Sequence, residues 1–271
     1  MLKTRVITAL LLVAGLALIL FAMPPLAAVL AFAAIAALAA WEWGGLMRQD
    51  KPARVMYAFV LLLFCWQLTV AAPQLIPILL AVSVAFWILV VPLWFRFKWT
   101  LAGNDFFGYL IGALVILPTW AAMVALHAVS TWLMLAAMAL VWVADISAYF
   151  AGRAFGKHKL APTISPGKTW EGVAGAMVGV MIYGAIVLSF SPLAVLLTDK
   201  LPLAAPLLGL LLILLTAVSV MGDLFESLLK RQAGIKDSSG LLPGHGGVLD
   251  RIDALTSTLP LAALILFLVR S

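Results

Sequence analysis

The sequence predicts an all-α protein that crosses a membrane about nine times, and three observations carry that prediction. Of its 271 residues, 65% are hydrophobic and only 10% are charged, where a soluble domain has about a quarter of its residues charged. Mean hydropathy is +1.18. The charges are also segregated, lying between apolar runs of roughly 17 to 23 residues, the length a helix needs to cross a bilayer core. Such a chain has no room for a large soluble domain. Residues 1–271 are therefore read as one membrane unit, with hydrophobic spans over 1–100 and a charge-bearing half over 101–271.

In chain order the spans fall near 5–22, 25–43, 55–72, 75–95, 106–126, 130–151, 172–190, 203–225 and 254–270. The first follows Lys3 and Arg5 and looks like a secretory leader. Its apolar core is too long for one and another span follows at once, so it is expected to stay as a helix. Pro24 and Pro25 divide it from the second, which is crowded with alanines such as Ala28, Ala33, Ala36 and Ala40. Small residues of this kind suit close helix packing or contact with a second copy in a homodimer. Trp41, Trp43, Trp94 and Trp99 lie near span ends and are expected to form an interfacial aromatic belt. Trp66 and Trp87 lie deeper, against neighbouring helices or lipid. Cys65 is the single cysteine, which rules out an intrachain disulfide and a cysteine metal cluster.

Placing the N-terminus in the cytoplasm puts all of the 17 lysines and arginines except Lys200 and Arg270 on that side. The positive-inside rule thus predicts a cytoplasmic N-terminus and a periplasmic C-terminus, with loops 152–171 and 226–253 facing the cytoplasm. The same bias accounts for the net charge of +6. Nucleic acid is not an expected partner.

One polar island, Gly222 to Asp253, could not dissolve in lipid. Ionisable groups at a membrane face are costly and commonly mark a site. Asp250 and Asp253 lie three apart, on one face of a helix expected to begin near Val248; Asp223 and Ser227 share a face at the end of the helix before it. Carboxylates at two facing helix ends suit Mg²⁺, alone or with a second cation, bridging to substrate phosphates. Between them Gly244, Gly246 and Gly247 surround His245 and let the backbone approach a ligand, with amides free for phosphate oxygens. Lys230, Arg231, Lys236 and Arg251 add positive charge, and Asp237 a further carboxylate. For Lys230 and Arg231 alone, setting orientation would be an equal explanation; for the whole combination it is not.

A second polar segment begins with Asp145, inside the sixth span, with Tyr149 on the same helical face. Asp145 either locks two helices together or forms the wall of a substrate cavity. The loop that follows carries Ser165-Pro166-Gly167-Lys168-Thr169 into a helix starting near Trp170, a natural phosphate site. It is not a P-loop, because Pro162 stands where the first glycine is needed and no strand precedes it. His127 reads as a residue of a short periplasmic loop and His158 as part of a basic loop. No Ser–His–Asp or Cys–His arrangement has convincing spacing.

The run Ser227-Leu228-Leu229-Lys230-Arg231, then Lys236-Asp237, Leu242-Pro243-Gly244-His245-Gly246-Gly247 and Asp250-Arg251-Ile252-Asp253 resembles the signature of the phosphatidate cytidylyltransferase (CDP-diacylglycerol synthase) family. Ser165-Pro166-Gly167-Lys168-Thr169-Trp170-Glu171-Gly172, after the helix from Asp145 to Arg153, resembles that family's second block. Ile146 departs from it, where a small or hydroxyl residue is usual. The resemblance covers the C-terminal half. It implies an enzyme of the bacterial inner membrane, with its site facing the cytoplasm, that joins CTP to phosphatidic acid drawn from the surrounding lipid.

On that reading Asp223 and Asp250 hold Mg²⁺, with Asp253 and Asp237 as alternate ligands. Lys168, Lys230, Arg231, Lys236 and Arg251 neutralise phosphates. Ser165, Thr169, Ser227, His245 and the backbone of Gly244, Gly246 and Gly247 donate hydrogen bonds, and Asp145 lines the cavity. The residues alone leave two other classes open: a Mg²⁺-dependent polyprenol-phosphate sugar transferase, and an ion-coupled transporter using Asp145 and Asp223.

Overall fold

A computed structural model describes residues 2–101, 103–190 and 205–270. Lys200, and the first two residues of the span expected from 203, lie outside the described residues. Among those described, nine helices are long and apolar enough to cross a membrane. They are α1 (Leu2–Ala17, continued by a π-helical turn Leu18–Ala22), α2 (Pro25–Leu46), α3 (Lys51–Val70), α4 (Pro73–Phe97, in several helical pieces), α5 (Asp105–Val129), α6 (Thr131–Phe155), α7 (Trp170–Phe190), α8 (Ala205–Ala233) and α9 (Leu249–Arg270).

Local chemistry sets several of these boundaries. Asp50 accepts the Ala53 amide at 2.9 Å to cap α3, and Asn104 accepts that of Phe107 at 3.2 Å to cap α5. Pro25 opens α2, where its missing N–H costs nothing. Two boundaries differ from expectation. α8 continues past residue 225 to Ala233, and α9 begins at Leu249, so much of the polar island is helical and its loop is short. The loop after α6 contains an antiparallel hairpin, β1 (Lys159–Ala161) with β2 (Ser165–Thr169).

α5 and α9 are the most buried helices and pack on each other, with α2, α4 and α6 against both, α8 against α9, and α7 against α6 and α8. α6 and α7 meet at backbone contact. A Cβ on Gly172 would lie 3.0 Å from the Ala148 carbonyl oxygen, and one on Gly175 or Gly179 would overlap Ala151 or Ser147. Buried hydroxyls tie the central helices: Thr119 Oγ1 donates to Val115 O at 2.7 Å and Thr256 O at 3.3 Å, and Ser257 Oγ to Val218 O at 2.8 Å.

The aromatic belt is only partly as expected. Trp43 and Trp94 are buried, their indole N–H groups donating to Gly108 O at 2.9 Å and Trp99 O at 2.6 Å. Position along a helix fixes depth in the bilayer; the facing neighbour fixes direction, and for Trp94 that neighbour is Phe225 of α8. Trp99 stays exposed, and Trp41 stacks under the Arg54 guanidinium, 3.6 Å from the ring centre. Ala28, Ala33, Ala36, Ala39 and Ala40 are buried within the chain itself, as close packing requires. His127 lies in the last turn of α5, not in a loop, with Nε2 3.3 Å from Leu20 O.

The cation-bearing connections gather at one end of the helices. Thr8 Oγ1 donates to Pro243 O at 2.9 Å, and Gly244 lies against Arg5. Arg48 donates to Ala233 O at 3.2 Å, closing the C-terminus of α8 where a cation is favoured. Gln232 donates to Trp99 O at 2.8 Å, and Arg231 Nε to Ile164 O at 3.3 Å.

Candidate active site

At this end a cavity of about 430 Å³ opens between α6, β2, α7 and α8. Its polar wall contains Asp145, Tyr149 and Arg153 from α6, Ser165, Lys168 and Thr169 from β2, and Asp223 from α8. Asp145, Tyr149 and Arg153 recur every four residues, so one face of α6 presents all three. Ala144, Ala148, Gly152 and Gly172 supply the room.

Lys168 Nζ lies 2.5 Å from Asp223 Oδ2, and Ser227 Oγ donates to Asp223 Oδ1 at 3.3 Å. Asp223 remains about a quarter exposed. Asp145 makes no hydrogen bond or ion pair among the described residues. It shares the cavity wall with the carboxylate of Asp223 and the ammonium of Lys168. That is the arrangement expected of a cavity wall and not of a helix lock. The Arg153 guanidinium donates to the Tyr149 hydroxyl at 3.0 Å. Thr169 Oγ1 accepts the Gly172 amide at 3.1 Å, so this hydroxyl caps α7. The Glu171 carboxylate accepts the His158 amide and lies 2.6 Å from its Nδ1, closing the base of the hairpin.

Lys230 and Asp250 belong to a second cluster, outside the lining of this cavity. Lys230 Nζ bridges Glu226 Oε2 at 2.9 Å and Asp250 Oδ1 at 2.5 Å, with all three side chains largely buried. Asp250 Oδ2 accepts two more bonds, from the Ser238 amide at 2.9 Å and the Gly247 amide at 2.7 Å, and lies 3.0 Å from Ser238 Oγ, whose one proton it shares with Glu42. Asp250 therefore does not share the cavity with Asp223. Asp253 lies one turn further along α9, its backbone packed against Gly222, the residue before Asp223. Lys230, expected to contact phosphate, is paired here with Glu226 and Asp250. Replacing it by Met would leave two buried carboxylates without their cation, at a cost of about 3–5 kcal/mol. Lys230→Met is expected to lower the thermal midpoint in detergent by about 10 °C; an unchanged midpoint would contradict this role.

The glycine turn also differs from expectation. Gly244 and Gly246 adopt positive φ (79° and 82°), which glycine allows without strain. The turn is closed on itself, with Leu242 N donating to Gly246 O and His245 N to Leu242 O, each at 2.8 Å. The His245 and Gly247 amides are thus committed within the protein. Lys236, Asp237 and Arg251 are exposed and do not line the cavity; Arg231 is exposed against the hairpin.

The turn is shaped around a carboxylate that sequence reasoning missed. Glu42 of α2 is fully buried. Its Oε1 accepts from Ser239 Oγ at 2.6 Å and the Val248 amide at 2.9 Å; its Oε2 accepts from Ser238 Oγ at 3.0 Å and the Leu249 amide at 2.6 Å. It thus caps α9, placing a negative charge at a helix N-terminus. A Cβ on Gly247 would overlap this carboxylate. Arg153 is the other residue the site adds, and the four-residue spacing that runs from Asp145 through Tyr149 was the signal that could have found it.

Residues 3–269 match the model of the cytidylyltransferase family. The chain belongs to that family. Among similar proteins, the phosphatidate cytidylyltransferase of Pseudomonas aeruginosa is 42% identical over 275 residues, covering 98% of this chain and 97% of its own. That of Haemophilus influenzae is 36% identical over 295 residues, covering 99% and 100%. That of Brucella abortus is 47% identical over 133 residues, covering 48% of this chain and 43% of its own. Family membership therefore extends through the N-terminal helices and includes α2, which carries Glu42.

Proposed function

We propose that the chain condenses CTP with phosphatidate to give CDP-diacylglycerol and pyrophosphate at the cavity of Asp145, Lys168 and Asp223. The observation that carries this reading is the Lys168–Asp223 pair at a cavity of mixed charge, among apolar helices of a cytidylyltransferase. A phosphate oxygen of the lipid would attack the α-phosphorus of CTP in line, forming the new P–O bond as pyrophosphate leaves with the electrons of the broken one. Such a reaction calls for positioning and charge neutralisation more than for a covalent intermediate. Lys168 and Arg153 supply cations to the phosphates, and Ser165 and Tyr149 hydroxyls that donate.

The donor set fits Mg²⁺, which binds through one or two carboxylates, substrate phosphates and waters, and needs no cage of protein ligands. Asp223 would hold it, with Asp145 the second carboxylate of the same cavity and Asp253 an alternate ligand. Asp250, first expected as the partner ligand, would instead hold Lys230 and the glycine turn in place. When bound, the ion would offset negative charge on the triphosphate. The gathering of cationic connections at the cavity end supports a cytoplasmic active site in the inner membrane, with the N-terminus on the same side.

Family membership favours this reading over a polyprenol-phosphate sugar transferase or an ion-coupled transporter. Donor choice tests it. Radiolabelled CTP should pass its cytidine into extractable lipid when phosphatidate is supplied, and a UDP-sugar should not label lipid. Sugar transfer from the UDP donor, with no cytidine incorporation, would overturn it.

A further inference from the structure

The strand that carries Lys168 is irregular. β1 and β2 pair at Lys159 with Thr169 and at Ala161 with Ser165. Between these pairs β1 has only Leu160, whereas β2 has Pro166, Gly167 and Lys168, so β2 bows out of the hairpin as a bulged strand does. Through Gly167 and Lys168 the bow forms part of the cavity wall. Pro166 and Gly167 are exposed, and a Cβ on Gly167 would meet nothing within 4 Å. The backbone of the bow is therefore placed from its two ends.

The later end is fixed on the helices. Thr169 is buried, and a Cβ on Gly152 of α6, or on Gly156 just after that helix, would lie 3.0 Å or 2.9 Å from its side chain. The earlier end, Ser165, is held by Ala161 of β1, and so by whatever fixes β1. At the hairpin tip the tie is long, Arg231 Nε to Ile164 O at 3.3 Å. At the base it is closer. Trp170 N donates to His158 O at 3.0 Å, the His158 amide lies 3.2 Å from both Glu171 carboxylate oxygens, and His158 Nδ1 lies 2.6 Å from Oε1. Glu171 stands in the first turn of α7, which meets α6 at backbone contact, so it is the firm member of the pair. The His158 side chain is 78% exposed, and an exposed pair of this kind adds little to stability. What it governs is where β1 lies.

We propose that Glu171, acting through His158, is a positioning residue for Lys168. It seats β1 on α7, β1 holds Ser165, and the bow between Ser165 and Thr169 then presents the Lys168 ammonium to the substrate phosphates. The proposal rests on the reaction proposed above.

Two measurements test it. The first needs no substrate: lysine acetylation of the full chain in detergent micelles, read residue by residue by mass spectrometry. Lys168 is a quarter exposed and paired with Asp223, whereas Lys51 is exposed. Glu171→Ala and His158→Ala should raise acetylation of Lys168 relative to Lys51. His158→Asn, whose amide nitrogen takes the place of Nδ1, should leave it near wild type. Unchanged labelling in both alanine variants would overturn the proposal. The second is a double-mutant cycle on turnover of CTP and phosphatidate. Glu171→Ala is expected to lower kcat/KM about tenfold in the native chain and to cause no further loss in Lys168→Ala, as coupled residues do. Equal losses in both backgrounds would show that Glu171 does not act through Lys168. If Lys168→Ala turns over too slowly for a second loss to be read, the labelling decides; if Glu171→Ala does not fold, His158→Ala takes its place in both measurements. A wild type that makes no cytidine lipid would instead defeat the proposed reaction and leave the labelling result standing.

Discussion

Asp223→Asn is expected to lower turnover by about a thousandfold while leaving the protein folded. Asp223 is where the cavity's charges converge, with Lys168 at 2.5 Å, Ser227 behind it and Asp145 opposite. An amide keeps the size and the Ser227 contact but cannot hold a divalent cation or balance Lys168 in the same way. Because Asp223 and Lys168 are each about a quarter exposed, the Lys168 ammonium left by the substitution keeps access to water, so the thermal midpoint should move little. Asp250→Asn should behave differently. Its carboxylate accepts from Lys230, Ser238 and Gly247, and an amide would turn a donor toward groups that already donate. Kinetics and thermal midpoints measured together separate the two roles: Asp223→Asn inactive and stable, Asp250→Asn inactive and destabilised. Near-normal turnover in Asp223→Asn would remove it from the site.

Glu42→Gln is expected to reduce kcat/KM by about a hundredfold and to open the loop from Gly234 to Val248, although Glu42 lies outside the cavity. Its two oxygens take four hydrogen bonds from the loop and the start of α9, and bonds to a charged group contribute about 1.5–3 kcal/mol each. Glutamine keeps one acceptor and sets an NH₂ against two of the donors. The shorter Glu42→Asp, which keeps both acceptors, should recover part of the activity. Limited trypsin digestion gives an independent reading, because Lys236 lies in this exposed loop. Faster cleavage there, relative to wild type, would accompany the kinetic loss; wild-type kinetics and protection together would show that Glu42 does not position the loop.

These two residues also mark how far the sequence was legible. Nine spans could be read because a bilayer imposes length and apolarity on every crossing helix. Asp145, Lys168 and Asp223 could be read because charge near a membrane interior is rare and each lies in a dense local pattern. Glu42 has no local pattern. It is a lone acid between two tryptophans at a span end, and its partners lie 196 to 207 positions away along the chain. The same limit hid the burial of Trp43 and Trp94, because hydropathy gives depth but not the direction in which a side chain points.

Within the polar island, residue types indicated phosphate and metal chemistry but could not say which donors were already used. In the folded chain Lys230 and the Gly247 amide donate to Asp250, whereas Asp223, Lys168, Asp145 and Arg153 line the cavity. The hairpin of β1 and β2 was also missed. Its strands are short, and Ser165-Pro166-Gly167 has none of the alternation that marks a strand.

The most direct test of the central claim is pyrophosphate release by the purified protein in detergent micelles supplied with CTP, phosphatidate and Mg²⁺. The account predicts release that requires all three, yields one cytidine-bearing lipid per pyrophosphate and disappears in Asp223→Asn. Pyrophosphate formed without phosphatidate, or none formed by a folded protein given all three, would contradict it.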